Sequence, residues 1–99
     1  MNMQALMKQA QKLQQDMLKA KEELDNTEFV GESSFVKVVV KGNKNLVSVK
    51  IDAPDALDKD DLEMLEDLIL VATNEAMKKV DEATEKKMGK YSNALPGMF

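Results

Sequence analysis

The first 24 residues repeat their apolar side chains at spacings of three and four: Met3, Leu6, Ala10, Leu13, Met17, Ala20 and Leu24. This is an amphipathic helix whose seam recurs every 3.5 residues, and such a seam demands a packing partner along its length. Lys8, Lys12, Gln15 and Lys19 keep the same rhythm on the opposite side. A helix this long spans about 36 Å, whereas a strand of about six residues spans about 20 Å. About half of the seam therefore outruns any sheet the following segment can build. A dimer with projecting helices satisfies the constraint and leaves a lysine stripe open to solvent.

Asp25-Asn26-Thr27 breaks the helical period. Residues 28–41 are rich in β-branched side chains, and Gly31-Glu32-Ser33-Ser34 divides them into a short strand and a longer one. Val36, Val38 and Val40 alternate with Lys37, Val39 and Lys41, Gly42-Asn43-Lys44-Asn45 is a turn, and Val47, Val49 and Ile51 alternate with Ser48, Lys50 and Asp52. Counting across that turn opposes Val40 to Val47, Val38 to Val49 and Val36 to Ile51, an apolar ladder on one face. The other face then carries Phe35, Lys37, Val39, Lys41, Leu46, Ser48 and Lys50, with Lys37 and Lys50 as a like-charge pair. Phe35, Val39 and Leu46 are apolar where water is expected, so a second subunit or a helix end covers them. Direct ligand contact by this face is the rarer arrangement.

Pro54 ends the sheet, because the residue before a proline is held extended. Asp58 caps a second long helix, with Asp61 completing a capping box in place of the usual Glu. Leu62, Leu65, Ile69, Ala72, Ala76, Val80 and Ala83 line one side of it. Met64, Leu68 and Val71 add a second stripe in its first half only, which places that half between the sheet and a partner. The half after Ala76 is one-sided and more exposed, and Gly89 is its stop signal. The fold class is α+β: a long N-terminal helix, a small antiparallel sheet of three strands and a long C-terminal helix. Residues 1–90 form a single domain and 91–99 a mobile tail. The expected dimer interface comprises Phe35, Val39, Leu46, Met64, Leu68 and Val71.

Composition then excludes most chemistry. The chain has no Cys, His, Trp or Arg, so thiol nucleophiles, imidazole bases and zinc–sulfur sites are ruled out together. The carboxylates at 55–67 have the spacing of a capped, solvated helix start, and Asp55, Asp58, Asp60 and Asp61 lack the glycine and distal Glu of a calcium loop. No enzyme, cofactor, metal or small-molecule substrate is expected. The longest uncharged run, Tyr91 to Phe99, falls far short of the ~20 residues of a membrane span, and the chain is expected in the cytoplasm.

The net charge of −4 conceals a polarity along the chain. Residues 1–50 hold 8 Lys against 6 acids, 51–77 one Lys against 9, and 78–99 5 Lys against 3. Basic ends flank an acidic middle, which matters more to a polyanionic partner than the total does. Lys8, Lys12 and Lys19 fall within about 40° of one another at the ~100° step of a helix, with Lys21 nearby. Lys78, Lys79, Lys86, Lys87 and Lys90 cluster toward the end of the second helix. As a pattern this fits an ordinary solvated face as well as a phosphate-binding one. Stacking platforms for single strands are lacking, since the aromatics are Phe29, Phe35, Tyr91 and Phe99 alone.

Leu6-Met7-Lys8-Gln9-Ala10-Gln11-Lys12-Leu13-Gln14, Val30-Gly31-Glu32-Ser33, Val36-Lys37-Val38 and the glycine turn occur in that order. Ile51-Asp52, Leu62-Glu63-Met64-Leu65-Glu66-Asp67-Leu68, Ala72, Asn74-Glu75-Ala76, Lys86-Lys87-Met88 and Leu95-Pro96-Gly97 follow. Over nearly its whole length the chain resembles the YbaB/EbfC family of bacterial nucleoid-associated proteins. The resemblance implies a tweezer-like α+β homodimer that binds double-stranded DNA in the nucleoid through charged residues of its terminal helices. By region, those residues correspond to Lys8, Lys12, Lys19, Lys21, Lys78, Lys79, Lys86, Lys87 and Lys90. Because the chain has no Arg, binding is expected to show little sequence selectivity. The competing reading is a protein-binding adaptor or chaperone-like clamp that uses the apolar helix seams.

Overall fold

The computed structural model describes residues 2–94. Helix α1 spans Met3–Asn26, strands β1, β2 and β3 span Glu28–Ser33, Val36–Lys41 and Leu46–Ile51, and helix α2 spans Leu62–Ala94 after a 3-10 turn at Lys59–Asp61. The strands form an antiparallel meander in the order β1-β2-β3. The body is drawn out to 71 × 18 × 14 Å. The α+β architecture read from the sequence is the one observed.

Local chemistry sets the element boundaries. The Asn2 side chain caps α1 by accepting from the Gln4 amide at 3.0 Å. At the other end the Thr27 amide donates to Leu24 O at 3.0 Å, closing the last turn. The capping box at α2 forms as the sequence implied: Asp58 accepts from the Asp60 amide at 2.9 Å, and Asp61 accepts from the Asp58 amide at 3.1 Å.

The first hairpin differs from expectation. Gly31-Glu32-Ser33 belongs to β1, and the chain reverses at Ser34-Phe35, where Ser34 takes a left-handed φ of 51°. Ser33 pairs with Val36, so the loop is the two-residue kind, and β1 and β2 are equal in length. In the second hairpin Val36 pairs with Ile51, Lys37 with Lys50 and Val38 with Val49, as the count across the turn requires. A bulge between Val39 and Val40 then opposes Val40 to Leu46 instead of Val47. Leu46 therefore shares the side of Val40 and does not stand on the opposite face.

Helix α2 lies across β1 and β2. Ala72, Ala76 and Val80 are completely buried against Val36, Val38 and Val40. Gly31 makes that crossing possible, because a Cβ there would collide with the Ala72 carbonyl and the Ala76 amide nitrogen. Gly42 plays the same part on the second hairpin, where the Leu24 backbone at the end of α1 lands. Phe35, expected on the outer face, packs half-buried against the central cluster, as does Leu68.

Strand β3 is exposed along its whole length. Val47, Val49 and Ile51, whose alternation reads as a core face, remain 40–47% exposed because α2 sits over the other two strands. The C-terminal half of α2 departs from expectation in the opposite direction. The helix runs through Gly89 to Ala94, so Tyr91–Ala94 is helix rather than tail, and Met88 and Tyr91 are buried with Met17 and Leu24 in a second cluster. Residues 95–99 of the expected tail lie outside the described residues.

Candidate nucleic-acid interface

The second cluster explains how the lysines are displayed. The last turns of α1 pack against the last turns of α2: Met17, Leu24, Met88 and Tyr91 are buried together, and Leu13, Ala20 and Ala83 pack at their edge. Glu23 accepts from Lys87 Nζ at 2.9 Å, and Leu24 and Thr84 line one cleft while Asp16 and Tyr91 line another. The two helices are therefore antiparallel. Beyond Leu13, α1 runs on past the described end of α2, and Met3, Leu6, Met7 and Ala10 are exposed. About half of the seam is uncovered, as the comparison of helix and strand lengths requires. The cover over the other half comes mainly from α2, with Phe29 of β1 and the Gly42 turn meeting its C-terminal end.

That projecting segment has an unusual charge. Residues 3–15 contain Lys8 and Lys12, five glutamines and no acidic side chain. Lys19 continues the stripe down to an open cleft of about 330 Å³ lined by Asp16, Lys19, Ala20, Glu23, Lys87, Lys90 and Tyr91. Here the α1 stripe meets the basic end of α2. The Lys90 ammonium stands 5.0 Å from the centroid of the Tyr91 ring, a cation–π distance that holds it beside the cleft.

The nine sequence-predicted lysines fall into two groups. Lys21 is bonded to Asp25 at 3.1 Å, Lys87 to Glu23 at 2.9 Å, and Lys79 donates to the Val30 carbonyl at 2.6 Å with Glu75 3.6 Å away. Among the described residues Lys8, Lys12, Lys19, Lys78, Lys86 and Lys90 form no ion pair, and all six are exposed or half-exposed. The Glu23–Lys87 contact also shifts a titration: the hydrogen bond from Lys87, then its charge, hold the Glu23 carboxyl below its ordinary range, with a smaller contribution from Lys19. Lys44, which the sequence did not single out, pairs with Asp81 at 3.0 Å and ties the β2–β3 turn to α2.

The acidic run at 52–67 sits at the start of α2, and α2 is 33 residues long, about 50 Å at ~1.5 Å per residue. The basic helix ends and the acidic loops thus occupy opposite parts of the long axis. Among the described residues no group of three or more Asp, Glu, His or Cys is placed to hold a metal ion, and no helix is long and apolar enough to cross a membrane.

The fold is thus a helix–sheet–helix chain that displays lysines, unpaired among the described residues, on and beside an acid-free helical projection. The chain belongs to the YbaB/EbfC DNA-binding family, whose model matches residues 1–95. It is 47% identical to a nucleoid-associated protein of Ligilactobacillus salivarius over 99% of this chain and 95% of that one. It is 50% identical to a nucleoid-associated protein of Clostridium novyi over 100% of this chain and 90% of that one. A Streptococcus suis nucleoid-associated protein is 48% identical over 97% of this chain and 98% of its own length. The family is a non-enzymatic, architectural one.

Proposed function

We propose that this protein is a nucleoid-associated homodimer that grips duplex DNA by lysine–phosphate contacts from its helix ends. The observation that carries the reading is the acid-free projection of α1, which presents Lys8 and Lys12 in line with Lys19, the lysine that shares a cleft with Lys90. Lysines are compact point charges that neutralise phosphates and release counterions, and such binding is blind to sequence. Lys86 extends the same basic end and Lys78 stands near the middle of α2, while Lys21, Lys79 and Lys87, held by their acidic or carbonyl partners, act mainly in positioning the helices.

The dimer rests on apolar surface that one copy leaves uncovered. Val47, Val49 and Ile51 of β3, Leu46 beside them, and Met64 and Val71 of α2 are all exposed. Val39 is half-buried on the far face of the sheet, whereas Phe35 and Leu68 already serve the chain's own core. The interface therefore draws on Leu46, Met64 and Val71 from the expected set and adds the β3 ladder to them.

A mobility-shift titration on generic duplex DNA at two salt concentrations tests the reading. Lysine–phosphate binding loses affinity with a log–log slope of about −0.9 per phosphate neutralised. The competing protein-clamp reading draws on the exposed Met3, Leu6 and Met7. Apolar association persists or strengthens in kosmotropic salt, so binding that resists salt favours the clamp.

A further inference from the structure

Along the projecting half of α1 the apolar seam faces water. Met3 is 70% exposed, Met7 59% and Leu6 40%, although Met3 and Leu6 continue the stripe that Met17 and Leu24 bury. Tyr91 is packed with Met17, and α2 runs antiparallel to α1, so Ala94 lies about one turn further toward the α1 N-terminus. Among the described residues, α1 thus overhangs α2 by residues 3–13, a step of about 15 Å at ~1.5 Å per residue. Written as a heptad, the overhang has Met3 and Ala10 at a, Leu6 and Leu13 at d, and Met7 and Gln9 at the flanking e and g positions. Lys8 and Lys12 fall at f and c, on the far side of the helix. The borders of this seam carry no charge, and its lysines point away from whatever the seam meets.

We propose that this overhang packs antiparallel against the same segment of a second copy, across a two-fold axis. The shape is self-complementary, because the overhang of each copy fills the step that the other leaves beside its α1. The second α1 then lies in line with α2 and carries the same antiparallel helix packing on along the seam. One register serves both copies. It sets Met3 opposite Leu13 and Leu6 opposite Ala10, so every seam position meets an apolar side chain and the large Leu6 faces the small Ala10. The N-terminus of each α1 meets the C-terminal end of the other copy's α2, where the helix dipoles attract. Charge favours a second copy over a foreign helix. Charged e and g positions are what select a different partner, and like charges there forbid self-pairing. Neutral borders permit it, and Lys8 and Lys12 stand apart on the outer sides of the pair. The contact is separate from the β3 and α2 surface assigned to the dimer above.

The absence of cysteine from the chain makes a direct test possible. Full-length Leu6→Cys and Ala10→Cys are mixed in equal amounts in a glutathione redox buffer, and the covalent dimers are separated by mass. The mixed disulfide is expected to exceed either same-variant disulfide about tenfold, because disulfides need Cα atoms about 4.4–6.8 Å apart and each same-variant pair is offset along the axis by about 6 Å. Gln4→Cys mixed with Lys12→Cys is the control: the two sites share the axial level of the first pair but lie away from the seam, so only the statistical twofold excess is expected. A statistical mixture from the Leu6 and Ala10 variants, no disulfide, or the same preference in the control would overturn the proposal. Hydrogen exchange supplies a readout that needs no cysteine. In the parent chain, amides of residues 5–12 are expected to exchange roughly tenfold more slowly at millimolar than at micromolar concentration, and Leu6→Gln/Ala10→Gln is expected to abolish that dependence with the β2 amides unchanged. Exchange at residues 5–12 that ignores concentration in the parent would equally overturn it. Neither readout involves DNA, so the contact between copies and the DNA-binding reading can fail separately.

Discussion

Gly31 and Gly42 are where two backbones meet with no room for a methyl group. At Gly31 the obstructing atoms are the carbonyl of Ala72 and the amide of Ala76, both in the middle of a helix that is fixed by its own buried face. Neither can move aside as a flexible side chain would. Gly31→Ala is therefore expected to lower stability by about 1–3 kcal/mol or more, read as a lower urea midpoint at unchanged slope. A second residue-scale prediction concerns Glu23. Its carboxyl titrates below its ordinary range in the folded chain because Lys87 bonds the charged form. The contribution is present above the unfolded pKa and is lost as pH falls through the lower folded value. Stability should thus fall in the acid range below about pH 4.5, and Glu23→Gln should flatten that part of the pH–stability curve while leaving its neutral-to-alkaline shape unaltered. An unchanged acid limb in thermal melts of the variant would remove the assignment.

At the scale of elements, α1 is two half-helices of different character. The half from Leu13 onward is stapled to α2 by Met17, Leu24, Met88, Tyr91 and the Glu23–Lys87 bond. The half before it carries lysines without acids. Replacing Lys8, Lys12 and Lys19 by Gln together is expected to weaken duplex binding. The salt slope should shrink in magnitude by up to about 0.9 for each phosphate that is no longer neutralised. The melting temperature should hardly change, because none of the three makes an ion pair among the described residues and all are exposed. Lys59, at the start of the acidic stretch, serves as the control, and Lys59→Gln is expected to leave the titration where it was. Equal weakening in the two variants would place DNA somewhere other than the helix ends.

For the whole molecule, length and exposed apolar area are the governing facts. A body 71 Å long and 14 Å thick has little interior, and small chains often complete their cores by association. Sedimentation at micromolar concentration is expected to show a dimer. Val49→Asp, on an exposed strand that α2 does not cover, should yield monomers that keep the helical content of the parent. A parent chain that sediments as a monomer would contradict the reading. Selectivity is also decided at this scale. With no Arg fork to read guanine and an acidic run confining contact to one end, competing duplexes of different sequence should differ by less than about tenfold, against ~10³ or more for a specific regulator.

Periodicity determined the elements. The 3.5-residue seam of α1, the alternation from Val36 to Ile51 and the Asp58–Asp61 box are local patterns, and local backbone geometry answers to them directly. The uncovered half of the seam was legible for the same reason, as a comparison of two lengths. What covers each apolar face was a different matter, because alternation shows that a face is apolar and says nothing of what lies over it. Val47, Val49 and Ile51 have the pattern of a core and are exposed, since Gly31 draws α2 over β1 and β2. Tyr91 follows a glycine stop signal, as a tail residue would, and is nonetheless buried, since α1 folds back along α2 to meet it. The bulge at Val39/Val40 and the turn at Ser34-Phe35 likewise answer to strand twist and hairpin closure, which a count of residues does not contain. Which lysines are unpaired was also left to the tertiary structure, because Glu23 and Lys87 lie 64 residues apart in the chain and 2.9 Å apart in the fold.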